Sequence, residues 1–521
     1  LLTERSIINF LVWIAGMIAG PYLVGAILSG NMVPVLVVLA ICLLVFMFGF
    51  GKDKLCLLPL MGAFIPGKLT FLPLQLAPAE ICGIALVVYY LITYTALQRK
   101  LMHTGPLIFF VPILAVVGIV LYHEPSFGLR SMGTGRQGGR VAVEMLVAAV
   151  AYVCGVSVSG VSPRFLNRFP LYCVIAALVA SIPFIVTTVV PGTAPYFYLI
   201  TDYINKSAYT SEITGGDSIV ENGGSATVGI AVATYLLSYY PVTSWWRPER
   251  WWVSALMILA LILIVTGGYR SNLLTFGVVI VVASWSHYSW RSLAFAPILV
   301  LIVFSLVSLQ NSHAIHLPIP AQRTLSVLPG DWEPEVIQSA KGSNEFRHGI
   351  VSVYLNEYAH KAPLLGNGTS YDSEEFERLV FLMQTRETAD GYYQSKAFIT
   401  GKMFHTGWIS VYDAIGLIGS AIYTILSLSL LWKSGRMVFD QGVDRKSTLF
   451  PLKVWLFTYV FSTLFSFITV YGEIKLCFPF LCYTAILWTQ VNRLERQGYK
   501  SVPAVREVPF DAARSGLPVP A

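Results

Sequence analysis

The sequence predicts an all-α polytopic transmembrane bundle of about 12 to 14 spans with one large helical loop, on three observations. Of 521 residues, 55% are hydrophobic and only 12% charged, with a mean hydropathy of +0.66, too apolar for a soluble chain of this length. The charges cluster between apolar stretches of roughly 17 to 23 residues, and about 20 helical residues at 1.5 Å each cross a hydrocarbon core of about 30 Å. Lys and Arg gather in alternate connections, as a fixed orientation requires. The period-two alternation of a membrane barrel is absent.

Taken in order, the expected spans lie near 7-28, 32-50, 55-72, 81-97, 106-122, 139-160, 169-190, 224-241, 252-267, 271-287, 292-309, 408-431, 451-470 and 474-491. Pro59, Pro66 and Lys68 interrupt the third, which reads as a broken or re-entrant helix, tolerated where protein shields it or where it lines a cavity. With the N-terminus inside, the cytoplasmic connections hold Lys52 and Lys54, Arg99 and Lys100, Arg164 and Arg168, Arg247 and Arg250, Arg291, and Lys433, Arg436, Arg445 and Lys446. Both termini therefore read as cytoplasmic. Arg130, Arg136 and Arg140 fall on the outer side against this rule and need an explanation.

The chain divides into an N-terminal bundle (1-309), an extracytoplasmic loop with amphipathic helices (310-404), C-terminal spans (405-492) and a Pro-, Ala- and Arg-rich tail (493-521) that reads as disordered. Within the loop, Ile350, Val351, Tyr354, Leu355 and Tyr358 after Asn344 share one helical face, and Asp372 with Glu375 forms a capping box ahead of Phe376, Leu379, Val380 and Met383. PLLGNG at 363-368 is a turn between these helices.

A net charge of +7, with its cations where topology needs them, argues against nucleic-acid binding. The seven cysteines avoid the large loop and form no metal or disulfide framework. Phosphate-loop, zinc-helix and nucleophile-elbow motifs are missing, and the pair His313 and His316 lacks a third ligand. The first span, without a cleavage site ahead of it, reads as a retained anchor.

What remains is a set of cations and one histidine. Arg270, in TGGYRSN, sits at a tight junction of two apolar helices, either as a snorkelling anchor or with an anionic partner. Arg347 reads as opening the loop helix, where a cation opposes the helix dipole and an anion would compensate; Arg323 is a solvated or supporting cation. His405 precedes the apolar run TGWISVYDAIGLIGSAIYTIL with Trp408 and Tyr412 on its face; a helix N-terminus favours a neutral imidazole able to accept a proton. Glu473 and Lys475 share a short turn, where they pair or serve catalysis.

GYRS at a span end, NEFRHG followed by HKAPLLGNG, and HTGWISVYDAIGLIGS occur in that order between about Thr266 and Ser420. This resembles the bacterial O-antigen ligase and O-antigen polymerase superfamily, although Thr406 stands where the family commonly has Asn after its histidine. The resemblance implies a GT-C-like bundle in the bacterial cytoplasmic membrane. It also implies inverting, metal-independent and cofactor-free transfer of a glycan from an undecaprenyl-diphosphate carrier to an acceptor hydroxyl at the outer face. His405, Arg270 and Arg347 would be catalytic. Arg323, Arg130, Arg136, Arg140, Trp408, Tyr412, Glu473 and Lys475 would bind substrate. The span count and long loop favour a polymerase. A transporter of a glycan or lipid-linked precursor is the alternative.

Overall fold

The computed structural model describes residues 52–70, 76–97, 107–123, 140–158, 161–205, 223–245, 247–288, 296–326, 328–370, 373–385, 391–404, 406–469 and 472–497. The expected spans at 7-28 and 32-50, and the tail beyond residue 497, lie outside them. The described residues form helices and turns, with one isolated bridge between Leu69 and Thr201.

The third expected span is not one. The chain forms two short helices, α1 (Lys52–Leu55) and α2 (Leu58–Gly62), with Pro59 in the first turn of α2. A proline there lacks an N–H that would be unsatisfied in any case. Beyond Gly62 the helix ends, and residues 68–70 run antiparallel to 200–202: Asp202 N–H donates to the Lys68 carbonyl (3.1 Å) and Thr70 N–H to the Ile200 carbonyl (3.2 Å).

The other expected spans from 81-97 onward are all helical. They appear as α3 (Pro78–Leu97), α4 (Leu107–Tyr122), α5 (Arg140–Ser157), α6 (Pro163–Val189), then, after a short α7 (Ala194–Tyr198), α8 (Gly223–Tyr239), α9 (Trp251–Val265), α10 (Arg270–Tyr288) and α11 (Ala296–Asn311). Four helices of the large loop follow: α12 (Ile319–Leu325), α13 (Pro334–Glu357), α14 (Ser373–Thr385) and α15 (Gly391–Thr400). The chain then re-enters the bundle as α16 (Gly407–Phe439), α17 (Phe450–Thr469) and α18 (Ile474–Arg496). Six segments among the described residues are long and apolar enough to cross a membrane: α5, α6, Pro248–Val265, α16, α17 and α18. This is a multi-pass membrane protein.

Two cores meet at α17. Leu452, Trp455 and Leu456 pack with α2 to α6 and α18, whereas Phe450, Val454 and Phe457 face α8, α9 and α10. In lipid, helices gain little from apolarity and associate through close contact and polar links. Gly229 of α8 is such a contact, since a Cβ there would come within 2.7 Å of the Ala260 carbonyl on α9. Gln490 and Arg493 of α18 donate to the Gly155, Val156 and Val158 carbonyls (2.6 to 3.0 Å) and so satisfy the open C-terminus of α5.

The loop helices correct one sequence expectation. α13 begins at Pro334, about ten residues before the expected start, so Arg347 lies in its interior and the dipole argument for it falls. Ile350 and Tyr354 are buried as expected, but Leu355 is half exposed. The helix expected after Asp372 is present as α14.

Candidate functional site

A glycine crossing builds one end of the site. The PLLGNG turn lays its backbone into a break in α16: Gly416 has φ +63°, Gly366 has φ +81°, and a Cβ on either would meet the other's nitrogen within 2.5 Å. Only residues without Cβ allow this approach. The turn supplies the bonds that the helix loses there, because Leu417 N–H donates to the Pro363 carbonyl (2.9 Å) and Ile418 N–H to the Leu364 carbonyl (3.1 Å). His123, at the end of α4, makes a 3.0 Å hydrogen bond with the Leu365 carbonyl through Nε2.

Just above the break, Asp413 is 2% exposed. Its carboxylate accepts from Lys402 Nζ at 2.5 Å and from Asn367 Nδ2 at 2.9 Å. Lys402 itself has φ +55°, a conformation that a non-glycine side chain keeps only where its surroundings enforce it. The pair lines a cavity of about 370 Å³ together with Arg140, Thr369, Phe404 and the turn 473–476. Glu473 is buried and ion-paired with Lys475, as the short turn suggested. Arg140, 6% exposed, donates from Nε to Glu144 at 2.8 Å and lies 3.9 Å from Glu80. The cations of this cavity are therefore each matched by a carboxylate, which also explains how Arg140 is tolerated so deep in the protein.

The second group is built differently. Arg270 at the start of α10, Arg323 in α12 and Arg347 in α13 are all half-buried, and the charges acting most strongly on Arg270 are those of Arg347 and then Arg323. Thr324, beside Arg323, donates to the Val265 carbonyl at 3.0 Å and thereby holds α12 against the end of α9. Arg270 Nη2 donates to the Ala340 carbonyl and to Asn344 Oδ1, both at 3.3 Å. One terminal nitrogen is thus spent on α13, and among the described residues no hydrogen bond engages Nε or Nη1.

A larger cavity of about 710 Å³ lies within the bundle, walled mainly by apolar side chains such as Trp455, Phe467 and Phe480. It shares Lys475 and Leu476 with the smaller cavity, and its charged lining includes Lys68, Glu80, Glu144 and Asp202. Thr275 of α10, about 7.5 Å along the helix from Arg270, also lines it.

The structure thus brings together Arg270, Arg323 and Arg347 in one place, and Arg140, Glu473 and Lys475 in another. His405, Arg130 and Arg136 lie outside the described residues. Phe404, the neighbour of His405 in sequence, lines the smaller cavity. Trp408 is 44% exposed and lines neither cavity, and Tyr412 turns to the loop, where its hydroxyl donates to the Ala359 carbonyl at 3.2 Å. His313 and His316 face different carboxylates, Asp331 and Glu333. Sequence reasoning missed Lys402, Asp413 and Asn367; an acid inside the otherwise apolar run from Ile409 to Ile425 was the available signal. No protein-family model and no curated protein matches this chain.

Proposed function

We propose that this membrane protein is a GT-C-like glycosyltransferase that moves a glycan from an undecaprenyl-diphosphate carrier to an acceptor hydroxyl at the outer face of the bacterial cytoplasmic membrane. The observation that carries this reading is the gathering of Arg270, Arg323 and Arg347 from three helices. An anionic ligand placed among like charges in a partly desolvated place relieves their mutual repulsion. A diphosphate suits the planar forks that arginines present. The apolar cavity of about 710 Å³ alongside supports a substrate with a lipid tail.

In the reaction, the acceptor hydroxyl oxygen bonds to the anomeric carbon as the bond from that carbon to the diphosphate oxygen breaks. The electron pair leaves with the diphosphate, whose growing charge the arginines stabilise. The hydroxyl proton passes to a neutral base, for which His405 is the candidate. One displacement inverts the anomeric centre. The span count and the long loop favour a polymerase over a ligase.

A transporter is the second reading, favoured by the unwound segment 63–70 against an intramembrane cavity. One experiment separates the two. Purified protein in detergent, where there are no two sides to cross, is given lipid-linked donor and acceptor with excess chelator. Transfer with release of undecaprenyl diphosphate is expected. Its absence in a preparation that binds donor overturns the enzyme reading. In the same assay His405→Ala is expected to lower the rate about 100- to 10,000-fold with donor binding retained. If more than a tenth of the activity survives, proton abstraction belongs to another group, of which Glu473 is the first to test.

A further inference from the structure

The cavity of about 370 Å³ has a neighbour, and the transfer chemistry above assigns a ligand to neither. The neighbour, of about 390 Å³, lies among the loop helices between Tyr358, Asn367 and Thr400, and the Lys402–Asp413 pair lines both cavities as a common wall. That wall is built rather than loose. Asn367 is tied to Asp413 twice, its backbone N–H donating to the Asp413 carbonyl at 2.5 Å and its Nδ2 to the carboxylate at 2.9 Å. Each cavity has the size of an ordinary small-molecule pocket.

Among the described residues every charged side chain that lines either cavity is already engaged. Arg140, Lys402 and Lys475 meet carboxylates in the first. In the second, Lys396 pairs with Glu357 at 3.3 Å and Glu375 with Arg378 at 2.7 Å, while Lys361 Nζ lies 4.1 Å from the centre of the Tyr358 ring. A charged ligand would find no open counter-charge there. The polar atoms left open are of another kind. With its Nδ2 given to the carboxylate, Asn367 keeps Oδ1 as an acceptor to which no described residue donates. The Ser410 hydroxyl, in a residue 6% exposed, accepts from Ile474 N–H at 3.2 Å, and its own proton has no acceptor among the described residues. No hydrogen bond among them engages the Thr400 hydroxyl. Leaving such atoms unpaired costs free energy, and a ligand hydroxyl, which both donates and accepts, can pair with all three. Phe404 in one cavity and Tyr358 in the other add aromatic surface for C–H groups. Several hydroxyls on an uncharged C–H ring describe a saccharide.

We infer that the two cavities on either side of the Lys402–Asp413 pair form a binding site for an uncharged saccharide, apart from the arginine cluster and the apolar cavity, and that this saccharide is the acceptor. Only its role as acceptor rests on the glycosyltransferase reading, and the binding test requires neither donor nor transfer.

The probes are the methyl glycosides of glucose, galactose, mannose and N-acetylglucosamine, titrated into the purified full chain in detergent and read by saturation-transfer NMR. The methyl glycosides of glucuronate, galacturonate and mannuronate are the charged counterparts. At least one neutral glycoside is expected to bind saturably, and more tightly than any uronate. Thr400→Trp, which fills the second cavity, should weaken that binding by about tenfold or more. Thr400→Val should weaken it about threefold, as loss of one neutral hydrogen bond predicts, and Arg270→Gln should leave it unchanged. Failure of all four neutral glycosides overturns the site, as does wild-type affinity in Thr400→Trp or loss of binding in Arg270→Gln. A uronate that binds as tightly as the best neutral sugar overturns the uncharged assignment. Saccharide binding by a protein that shows no transfer overturns the transfer reading alone, whereas transfer without saccharide binding overturns this site alone. Should Thr400→Trp not fold, as judged by thermal unfolding, wild-type affinity in both Thr400→Val and Ser410→Ala overturns the site in its place.

Discussion

Arg140 and Arg270 both begin a helix of the bundle, and their surroundings are opposite. Arg140 is enclosed by Glu144 and Glu80 beside two further ion pairs, Lys402 with Asp413 and Lys475 with Glu473. Arg270 meets a carbonyl, an amide and two more arginines. A cation matched by buried carboxylates holds helices together, and breaking such a match leaves charge stranded. Cations gathered together repel one another, and on the proposed reading a ligand relieves that repulsion. Residue type is the same in both places, and what surrounds it differs.

The sharpest way to break this contrast is Arg140→Met, which leaves Glu80 and Glu144 facing each other without a cation. It should destabilise the folded protein by about 3–5 kcal/mol, read as a loss of abundance and a lower unfolding temperature in detergent. Normal stability would show that the buried pairs carry no structural weight. A smaller effect of a different kind is expected at Arg270→Lys. Its thermal stability should stay near wild type, while transfer falls about 100-fold because lysine keeps the charge and loses the fork. A fall in stability with unchanged turnover would reverse the assignment of the two regions.

The smallest expected effect marks the exposed limit of the same comparison. Glu357, at the C-terminal end of α13, accepts from Tyr392 at 2.6 Å and pairs with Lys396 at 3.3 Å. The Tyr392 hydrogen bond, with Lys396 helping, holds its carboxyl below the ordinary value. Stabilisation from a lowered carboxyl is present above the unfolded value of about 4.3 and lost as pH falls through the folded one. With solvent screening the loss should be under about 1 kcal/mol, seen as lower hydrogen-exchange protection factors in α13 and α15 between about pH 5 and pH 3. Glu357→Gln should remove that dependence.

These counter-charges explain how much was legible in the chain. The helices were, because runs of about 20 apolar residues admit few other forms, and so was the failure of the third, from Pro59, Pro66 and Lys68. α14 announced itself through Glu375 and the apolar residues after it. The start of α13 did not, since PEVIQSAKGS at 334–343 carries too few apolar residues to show a helical face. Arg270 and Arg347 could be singled out singly, but their meeting depends on α12 and α13 folding back. The partner of Arg140 could not be read either. Glu144 is a turn away, while Glu80 comes from another helix altogether, and a pairing of that kind exists only in the tertiary fold.

The crossing of Gly366 and Gly416 also divides the length of α16. At 1.5 Å per residue the 33 residues of α16 would measure about 50 Å, far more than a hydrocarbon core of about 30 Å. Below the break, roughly 24 residues remain, about 36 Å, enough to cross on their own. Above it, the first nine residues form a separate helical piece, tied to the turn where Asn367 N–H donates to the Asp413 carbonyl. The break therefore divides α16 into a short first segment that carries Asp413 and a long apolar segment that is by itself long enough to cross a membrane.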